Sequence, residues 1–447
     1  MGDRRTVAEP EFTRLGQDLP SSSRLRVAMI SMHTSPTAKL GADTNGGLNV
    51  YVRSVGITFG RRGVITDVFT RRRDERQPVV EQVAPGFRVL SLPAGPPGLD
   101  KYGLLDQVPS FADQVEAFIR GSGVRYHLIY SHYWLSGLVA CLLRGRLRVP
   151  WAHRAHTLAL VKNRHLAPGA KPEPGVRVDL EGEISRCADL LVVSTEAEGA
   201  ELQRSYHVPP EHVAVVPPGV DGTTFHPLPK PLARLLIGQA DRRVFVFVGR
   251  LEPLKGVSVI LHALARLMAE GRHRDLRLLI LGDDGGDGGG EKARLQRLTA
   301  ELGLGEQVRF LGPMPQLQLP VYYAAAEACL IPSYSESFGL VALEAQACGT
   351  AVVASNVAGL ASVVRDGTTG FLVDGPDPGL YADRMRRLLE EPGLAIRMGR
   401  NGRRRAEGFT WERTADLLLA RFRALAGSVP TLDPRSELLG DPAGDGL

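Results

Sequence analysis

CLIPSYSESFGLVALEAQACGT, residues 329–350, combines a short apolar run, a polar loop and a helix-forming segment. The run at residues 329–332 predicts a buried strand, and the mostly apolar residues after Gly339 predict a helix. Glu336 then lies in the loop and Glu344 about two turns into the helix, so the two carboxylates would be roughly 10–12 Å apart. This is about the distance from the sugar to the ribose of a nucleotide sugar. The same pattern is typical of an ordinary helix N-terminus with a stabilising acid.

Strand-like and helix-like segments alternate along the chain in two blocks. The first block runs from RVAMISM (residues 26–32) to DLLVVST (residues 189–195), and the second from VFVFVG (residues 244–249) to AVVAS (residues 351–355). Alternation of this kind is typical of a parallel sheet covered by helices on both faces. The fold class is therefore predicted to be α/β, with two doubly wound, Rossmann-like domains facing each other across a cleft.

Proline-rich segments indicate where one block ends and the next begins. AVVPPGVD, residues 214–221, and the proline-rich residues 225–231 predict a linker. The predicted organisation is a disordered tail (1–24), an N-terminal acceptor-binding domain (25–224), a C-terminal nucleotide-sugar-binding domain (225–407), a terminal helix (408–427) and a second disordered tail (428–447).

Composition and charge exclude several classes of protein. The net charge of +5 suits anionic ligands, but the arginine runs at 71–73 and 403–405 have no aromatic stacking residues, so no nucleic-acid partner is predicted. Residues 1–24 lack the apolar segment of a signal peptide, and no run reaches the roughly 20 apolar residues of a membrane span. The four cysteines have neither metal nor redox spacing, which predicts buried free thiols in a cytoplasmic protein. No organic cofactor is expected.

Two further motifs point to phosphate chemistry. GRLEPLKG, residues 249–256, places Arg250 and Lys255 between a strand and a helix, where two cations would suit a diphosphate. A surface pair flanking a turn is the alternative. Gly46 and Gly47 at a strand-to-helix junction allow close approach of a phosphate or sugar, although a plain tight turn explains them equally well. The glycine-rich residues 283–290 have no phosphate-binding register and predict a flexible connection.

Polar residues on separate loops of the first block are candidates for an acceptor phosphate. Lys101, Tyr133, Thr157 and Arg177 are suitable donors, but the sequence alone does not bring them together. The histidines at 153, 156 and 165 lack the i, i+4 spacing of a helical metal pair, so no zinc site is predicted.

The motifs together resemble a known family. SMHTSP, DTNGGLNVYV, GLDK, SHYWLSG, AHTLALVKN, VVPPGVD, GRLEPLKG and PSYSESFGLVALEAQACGT are similar to the retaining nucleotide-sugar glycosyltransferases of family 4, which have the GT-B fold. The resemblance covers residues 26–425. Its acceptor-side motifs are most similar to members that transfer N-acetylglucosamine from UDP-GlcNAc to 1D-myo-inositol 3-phosphate, the first step of mycothiol synthesis. It implies a cytoplasmic homodimer, with Mg²⁺ that need not take part in catalysis.

The resemblance implies roles for individual residues. Glu336 would bind the hydroxyls of the transferred sugar, Glu344 those of the ribose and Met314 the uracil. The implied catalytic residues are Arg250, Lys255 and His156, the last near the donor sugar ring. The implied donor-binding residues are Lys39, Leu40, Gly47, Arg250, Lys255, Met314, Glu336 and Glu344. The implied acceptor-binding residues are His33, Thr44, Asn45, Gly46, Gly47, Leu48, Asn49, Lys101, Tyr133, Thr157 and Arg177. The implied magnesium ligands are Tyr323, Ala324, Ala326 and Thr350.

The first glycine loop departs from the family pattern. Related enzymes usually have Gln-Pro and later Asp-Ala-Gly-Gly-Met-Asn, where this chain has Lys39-Leu40 and residues 44–49, TNGGLN. Asp43 lies one residue earlier than the family's acid, and the D-T-x-G-G form resembles sucrose-phosphate synthases, which use fructose 6-phosphate. The acceptor therefore stays open between these two classes.

Three other functions remain as alternatives. A transferase acting on phosphatidylinositol would need a basic amphipathic helix near the acceptor site, whereas residues 103–120 contain Asp106, Asp113 and Glu116. A UDP-GlcNAc 2-epimerase would share the two-domain architecture, and a non-enzymatic UDP-sugar-binding protein would share the donor site. For the transferase, we expect retention without a protein nucleophile, because no carboxylate of the first half is marked as a base.

Overall fold

Two parallel sheets organise the computed structural model, which describes residues 24–38, 46–285 and 290–427. The first sheet has the strand order β3-β4-β2-β1-β5-β6-β7-β8, and the second has the order β11-β10-β9-β12-β13-β14. Neighbouring strands run parallel except for β3, which pairs with β4 in the antiparallel direction. The strands are β1 (Arg26–Ile30), β2 (Ile65–Arg71), β3 (Val80–Ala84), β4 (Phe87–Leu92), β5 (Leu128–His132), β6 (Trp151–Arg154), β7 (Leu190–Val193), β8 (Val213–Val215), β9 (Arg243–Val248), β10 (Leu276–Leu281), β11 (Val308–Gly312), β12 (Ala328–Ile331), β13 (Ala351–Ser355) and β14 (Gly370–Val373).

Helices cover both faces of each sheet. The α-helices of the described residues are α1 (Gly47–Arg61), α2 (Val108–Ser122), α3 (Trp134–Leu147), α4 (Ala159–Arg164), α5 (Gly175–Cys187), α6 (Glu196–Tyr206), α7 (Lys230–Leu236), α8 (Val257–Ala269), α9 (Glu291–Glu301), α10 (Leu319–Ala325), α11 (Leu340–Ala347), α12 (Ala358–Val363), α13 (Pro378–Glu390), α14 (Leu394–Ala406) and α15 (Trp411–Gly427). None of them is both long and apolar enough to cross a membrane.

Burial on both faces explains the continuous apolar runs of the strands. In β1, Val27 and Met29 join one hydrophobic cluster, whereas Ala28 and Ile30 join the cluster on the opposite face. The same alternation occurs in β9, where Val246 and Phe247 belong to different clusters. Successive side chains of a strand point to opposite faces, so a strand between two helix layers needs apolar residues throughout. The predicted α/β fold with two Rossmann-like sheets is confirmed.

The last helix returns from the second sheet to the first. Trp411 and Phe422 of α15 pack in the cluster formed by the first sheet, and the Phe422 ring centroid lies 5.0 Å from that of Tyr130. An ion pair between Arg62 and Asp416, with Nε and Oδ1 2.8 Å apart, fixes the same helix against the end of α1. The helix therefore fastens the C-terminal half of the chain to the N-terminal sheet.

The structure corrects three sequence-based expectations. Residues 214 and 215, predicted as linker, belong to β8, because this apolar segment pairs with β7 as the last strand of the first sheet. Glu344 lies about one turn into its helix and not two, because α11 begins at Leu340, directly after Gly339 as predicted, and the residues from 340 to 344 make little more than one turn. Cys329 and Cys348 are buried as expected, but Cys141 and Cys187 are exposed because they face outward from α3 and α5. The two predicted tails, apart from Arg24, and residues 286–289 of the predicted flexible connection lie outside the described residues.

Candidate active site

A glycine turn brings Lys255 to Glu336. Gly256 follows Lys255 with φ +66°, and a Cβ atom there would lie 2.1 Å from the carbonyl oxygen of Pro332. Only glycine allows this turn to pack so closely against the end of β12. As a result, Lys255 Nζ lies 2.5 Å from Glu336 Oε1. Lys255, predicted to bind the diphosphate, and Glu336, predicted to bind the sugar, therefore form an ion pair.

Arg250 lies where the two sheets' domains approach each other. Its Nη1 forms an ion pair with Glu252 Oε1 at 2.8 Å, and its Nε is 3.9 Å from the position that a Cβ of Gly46 would take. A Cβ on Gly47 would similarly lie 3.3 Å from Leu340 Cδ1 at the start of α11. The N-terminus of α1 therefore faces the loops that carry Arg250 and Leu340, and close approach of a phosphate or sugar to the glycine pair stays a prediction.

His156 forms a second contact across the cleft. Ser337 Oγ donates a hydrogen bond of 2.5 Å to the backbone carbonyl oxygen of His156. His156 adopts φ +61°, a left-handed conformation that costs a non-glycine residue energy and is enriched at active sites. Its Nε2 is 3.1 Å from Nδ1 of His132, and burial lowers the pKa of both imidazoles well below the usual value. His156 is therefore a neutral group that can exchange hydrogen bonds but supplies no positive charge.

Glu344 is a buried carboxyl group with an unusually high pKa. Burial raises its pKa to about 7, although hydrogen bonds from Tyr323 and Gln316 act in the opposite direction. The Tyr323 hydroxyl donates to Oε2 at 3.0 Å. Met314, the residue predicted to contact uracil, is half-buried and lies two residues before Gln316, which places it in the segment that contacts Glu344.

The raised pKa of Glu344 predicts pH-dependent donor affinity. Below pH 7 the Glu344 carboxyl is mostly protonated, so one of its oxygens is lost as a hydrogen-bond acceptor for the ribose. Above pH 7 the carboxylate can accept hydrogen bonds from both ribose hydroxyls. We expect KM for the UDP-sugar to fall several-fold from pH 6 to pH 8, while the ionised fraction rises from about 10% to about 90%. Initial rates across this range would measure it. Glu344→Gln should raise KM and flatten the profile; an unchanged slope in this variant would assign the pH dependence to another group.

His33 marks the place where cations of both domains converge. The side chain is buried, and Nδ1 has no hydrogen-bond partner among residues 24–38, 46–285 and 290–427. Its pKa is lowered to about 3 by burial and by the positive charges of Arg73, Arg177, Arg250 and Lys101. Arg250 belongs to the second sheet's domain and the other three belong to the first. An anion bound beside His33 would meet charges from both sides of the cleft.

Arg177 contacts two other predicted acceptor residues, Thr157 and Tyr133. Its side chain is fully buried, with Nε 2.8 Å from Glu181 Oε1. Nη2 donates to Thr157 Oγ1 at 3.3 Å, and the guanidinium carbon lies 5.0 Å from the Tyr133 ring centroid. The Tyr133 ring is in turn 4.4 Å from that of His33, centroid to centroid. Residues scattered over 145 positions of sequence therefore line one site, which the sequence alone does not establish.

Two predicted acceptor ligands have other contacts. Asn49 accepts a 3.0 Å hydrogen bond from the Gly46 backbone N–H and donates to Thr34 Oγ1 at 2.7 Å and to the Ser35 carbonyl at 2.6 Å. Leu48 packs against the hydrophobic cluster below α1. These contacts organise the glycine loop and do not by themselves support direct acceptor binding. Lys39, Leu40, Thr44 and Asn45 lie outside the described residues.

The implied magnesium ligands fit the ion poorly. The Tyr323 carbonyl oxygen already accepts hydrogen bonds from Ala326 N–H at 3.0 Å and from Thr350 Oγ1 at 2.6 Å, which uses both lone pairs. Ala324, Ala326 and Thr350 line a cavity of about 780 Å³ together with one carboxylate, Glu327, and four cationic side chains, Lys230, Arg400, Arg403 and Arg404. Within the described part of the chain, no group of three or more His, Cys, Asp or Glu could hold a metal. We therefore derive no catalytic step through Mg²⁺.

Excess EDTA should leave the transfer rate within about twofold of the untreated rate, because Arg250 and Lys255 would themselves supply the positive charge beside a leaving diphosphate. Initial rates of dialysed enzyme with EDTA, and with added Mg²⁺, would measure this. A loss of tenfold or more that Mg²⁺ restores would contradict the expectation.

Sequence reasoning missed several residues of the site. Glu173 contacts Lys101 and Arg177, and Lys162 in turn contacts Glu173. Ser337 contacts His156, and Gln316 contacts Glu344. The i, i+4 spacing from Glu173 to Arg177, repeated from Arg177 to Glu181, was a usable signal for the ion pairs. No comparable pattern marks the other residues.

Comparison with known proteins identifies the family. Residues 237–405 match the family model "Glycosyl transferases group 1", and residues 46–219 match "Glycosyl transferase 4-like domain". A D-inositol 3-phosphate glycosyltransferase of Corynebacterium jeikeium (strain K411) is 46% identical over 406 residues, covering 90% of this chain and 97% of that protein. The chain belongs to the group 1 glycosyltransferases. It is therefore an enzyme that transfers a sugar from a nucleotide-sugar donor.

Solved structures support the same assignment for this glycosyltransferase. A sucrose-phosphate synthase from Thermosynechococcus elongatus superposes with a TM-score of 0.84 at 34% identity, covering 91% of this chain and all of that chain. Anabaena HepE in complex with UDP-glucose has a TM-score of 0.72 at 19% identity, covering 90% of this chain and all of HepE, and shows the fold alone. The predicted GT-B fold is confirmed.

Proposed function

We propose that this glycosyltransferase moves N-acetylglucosamine from UDP-GlcNAc to 1D-myo-inositol 3-phosphate, with retention at the anomeric carbon. The observation that carries the proposal is that the charges of Arg73, Lys101 and Arg177 from one domain and of Arg250 from the other all act on the buried His33, whose ring contacts Tyr133 and through it Arg177. Cations contributed by both domains suit two anionic substrates. The first domain would bind the phosphate of the acceptor, and the second would bind the diphosphate of the donor. Relatives named D-inositol 3-phosphate glycosyltransferase, 41–46% identical over 89–94% of the chain, support the acceptor's identity.

The donor would lie along the start of α11. Arg250 and Lys255 would bind the diphosphate, Glu336 the sugar hydroxyls and Glu344 the ribose. Lys255 and Glu336 already share an ion pair, so the donor would enter a site whose charges are in place. Preorganised cations stabilise charge that grows on the leaving diphosphate without reorganising during the reaction.

The reaction needs no nucleophile from the protein. The acceptor hydroxyl attacks the anomeric carbon from the face that UDP leaves, so a carbon–oxygen bond forms as the bond to the β-phosphate oxygen breaks. The hydroxyl proton passes to that β-phosphate. His156 is neutral and lies at the domain contact, where its ring can exchange a hydrogen bond with the donor sugar. Approach of the two domains would exclude water and limit hydrolysis of the donor.

A matrix of donors and acceptors tests the proposal. UDP-GlcNAc and UDP-glucose would each be incubated with inositol 3-phosphate, inositol and fructose 6-phosphate, and the products identified by mass and by the anomeric configuration in NMR spectra. We expect one dominant product, the α-linked N-acetylglucosaminyl inositol phosphate. Conversion of UDP-GlcNAc with no acceptor present, to UDP and an epimerised sugar, would indicate an epimerase instead.

Sucrose-phosphate synthesis is the second candidate. The D-T-N-G-G sequence at residues 43–47 and the 34% identical synthase structure favour it. Both enzymes would use the same diphosphate site, so only the acceptor and the donor sugar distinguish them. A sucrose phosphate product from UDP-glucose and fructose 6-phosphate, at a higher kcat/KM than the inositol product, would overturn the first proposal in favour of the second.

The cytoplasmic location and the homodimer are also proposals, and both derive from the family resemblance. Light scattering of the purified protein at micromolar concentration would distinguish a dimer from a monomer, and fractionation of cells that express the chain would test the location.

A further inference from the structure

Glu173 is the common partner of the cations at the acceptor site. Its carboxylate lies 3.3 Å from Lys101 Nζ, 2.5 Å from Lys162 Nζ and 3.1 Å from Arg177 Nη1, and it also accepts a hydrogen bond from the Tyr102 hydroxyl. The side chain is 8% exposed. The four partners come from three segments: Lys101 and Tyr102 from the loop after β4, Lys162 from helix α4 and Arg177 from helix α5. One carboxylate thus ties together three segments that supply the site's positive charges.

The backbone of Glu173 is held in place. Its N–H donates to Asn163 Oδ1 at 2.7 Å, and Asn163 Nδ2 donates back to its carbonyl oxygen at 2.9 Å. Pro172 and Pro174 flank it and restrict the backbone dihedrals on both sides. A backbone held in this way favours a Glu173 carboxylate that keeps its position, and not one that is displaced when the substrate binds.

The charges around Glu173 explain why an anchor is needed. Lys101, Lys162 and Arg177 are cations on the same small site, and at short range in a partly buried environment they repel one another. A fixed carboxylate between them offsets this repulsion and sets the position of each. Without this carboxylate the three cations would repel one another and move apart. The two lysines would turn toward solvent, because lysine side chains are long and flexible.

We propose that Glu173 is a positioning residue of the acceptor site, which holds Lys101, Lys162 and Arg177 in place for the acceptor's phosphate. Lys162 is thereby an additional cation of the phosphate site. The inference rests on the proposed function, because it takes the phosphate-bearing acceptor as the ligand of these cations. Glu173 itself touches no reacting atom.

The variant Glu173→Gln tests the inference, since it keeps the shape of the side chain and removes its charge. We expect the KM for inositol 3-phosphate to rise about tenfold or more, as for the loss of a charge-assisted contact, while KM for UDP-GlcNAc stays within about twofold. Inorganic phosphate should become a weaker competitive inhibitor by a similar factor. Asn163→Ala releases only the backbone of Glu173. It should raise the KM for inositol 3-phosphate and weaken inhibition by inorganic phosphate, each by a smaller factor than Glu173→Gln does.

Glu327→Gln is the matched control. Glu327 also binds three cations, with distances of 2.9 Å to Lys230, 2.7 Å to Arg234 and 3.1 Å to Arg243, and its side chain is 10% exposed. It lies in the second domain, outside the proposed substrate site. Both glutamine variants should lower the melting temperature, but only Glu173→Gln should change the acceptor KM.

Three outcomes separate the two proposals. A lower acceptor KM in Glu173→Gln would show that the carboxylate competes with the phosphate, and equal kinetics in both glutamine variants would show that it only stabilises the fold; either result overturns the inference. If the wild-type enzyme does not use inositol 3-phosphate, the proposed function fails. Calorimetric binding of inorganic phosphate to the wild type and to both glutamine variants then tests Glu173 on its own.

Discussion

Replacing Lys255 with alanine should lower kcat by about two to three orders of magnitude, which is the usual effect of removing one preorganised group that stabilises developing negative charge. Lys255 Nζ is held 2.5 Å from Glu336 Oε1, so its charge is already directed at the proposed diphosphate and sugar site. The alanine variant loses that charge and leaves Glu336 without its cation. Steady-state kcat and KM for UDP-GlcNAc, with inositol 3-phosphate saturating, would measure the loss.

Lys230→Ala is the control for Lys255→Ala. Lys230 forms a comparable ion pair, with Nζ 2.9 Å from Glu327 Oε2, and its side chain is 29% exposed against 21% for Lys255. The two variants should have similar melting temperatures, while only Lys255→Ala loses turnover. Near-wild-type kcat in Lys255→Ala would show that this lysine does not act on the leaving diphosphate and would withdraw the donor-site assignment.

The sequence predicted most of the strands that are buried on both faces, because their pattern is physically simple, but it did not mark β3, β4, β6, β11 or β14. β1, β9 and β12 are buried on both faces, so each appears in the sequence as an uninterrupted apolar run. β8 was missed because it has only three residues and leads directly into two prolines. Its place in the sheet depends on pairing with β7, a tertiary contact that no local pattern encodes.

The donor site was more predictable than the acceptor site. Arg250, Lys255, Glu336 and Glu344 occur in two short motifs next to strand ends, and strands of one parallel sheet bring such motifs to the same edge. The acceptor residues were expected on separate loops of the first domain, but Arg177 lies in helix α5, and their convergence depends on how α4 and α5 pack. Glu173 shows the limit most clearly, because a glutamate between two prolines looks like a solvated loop residue until its four partners are seen.

Replacing Arg177 with methionine should affect both acceptor recognition and stability. The guanidinium is fully buried, forms ion pairs with Glu173 and Glu181, and donates to Thr157. Methionine approximates its volume but leaves Glu181 buried without its cation, a loss of about 3–5 kcal/mol of unfolding free energy. The acceptor KM should rise by about a hundredfold or more. The variant loses the charge-assisted contact between the guanidinium and the acceptor's phosphate, and Lys101 and Lys162 lose a neighbour that helps to fix their positions.

Two companion variants separate recognition from folding. Arg177→Lys keeps the charge but has no planar fork that reaches Glu181 and Thr157 from two separate nitrogens, so an intermediate acceptor KM is expected. The double variant Arg177→Met with Glu181→Gln removes the unpaired buried charge, and it should recover much of the unfolding free energy measured in urea. Because Glu181 contacts Arg177 and the Ala159 backbone N–H, and its substitution restores no cation, the double variant should keep the high acceptor KM. Recovery of acceptor affinity along with stability would mean that Arg177 holds the fold and does not contact the phosphate.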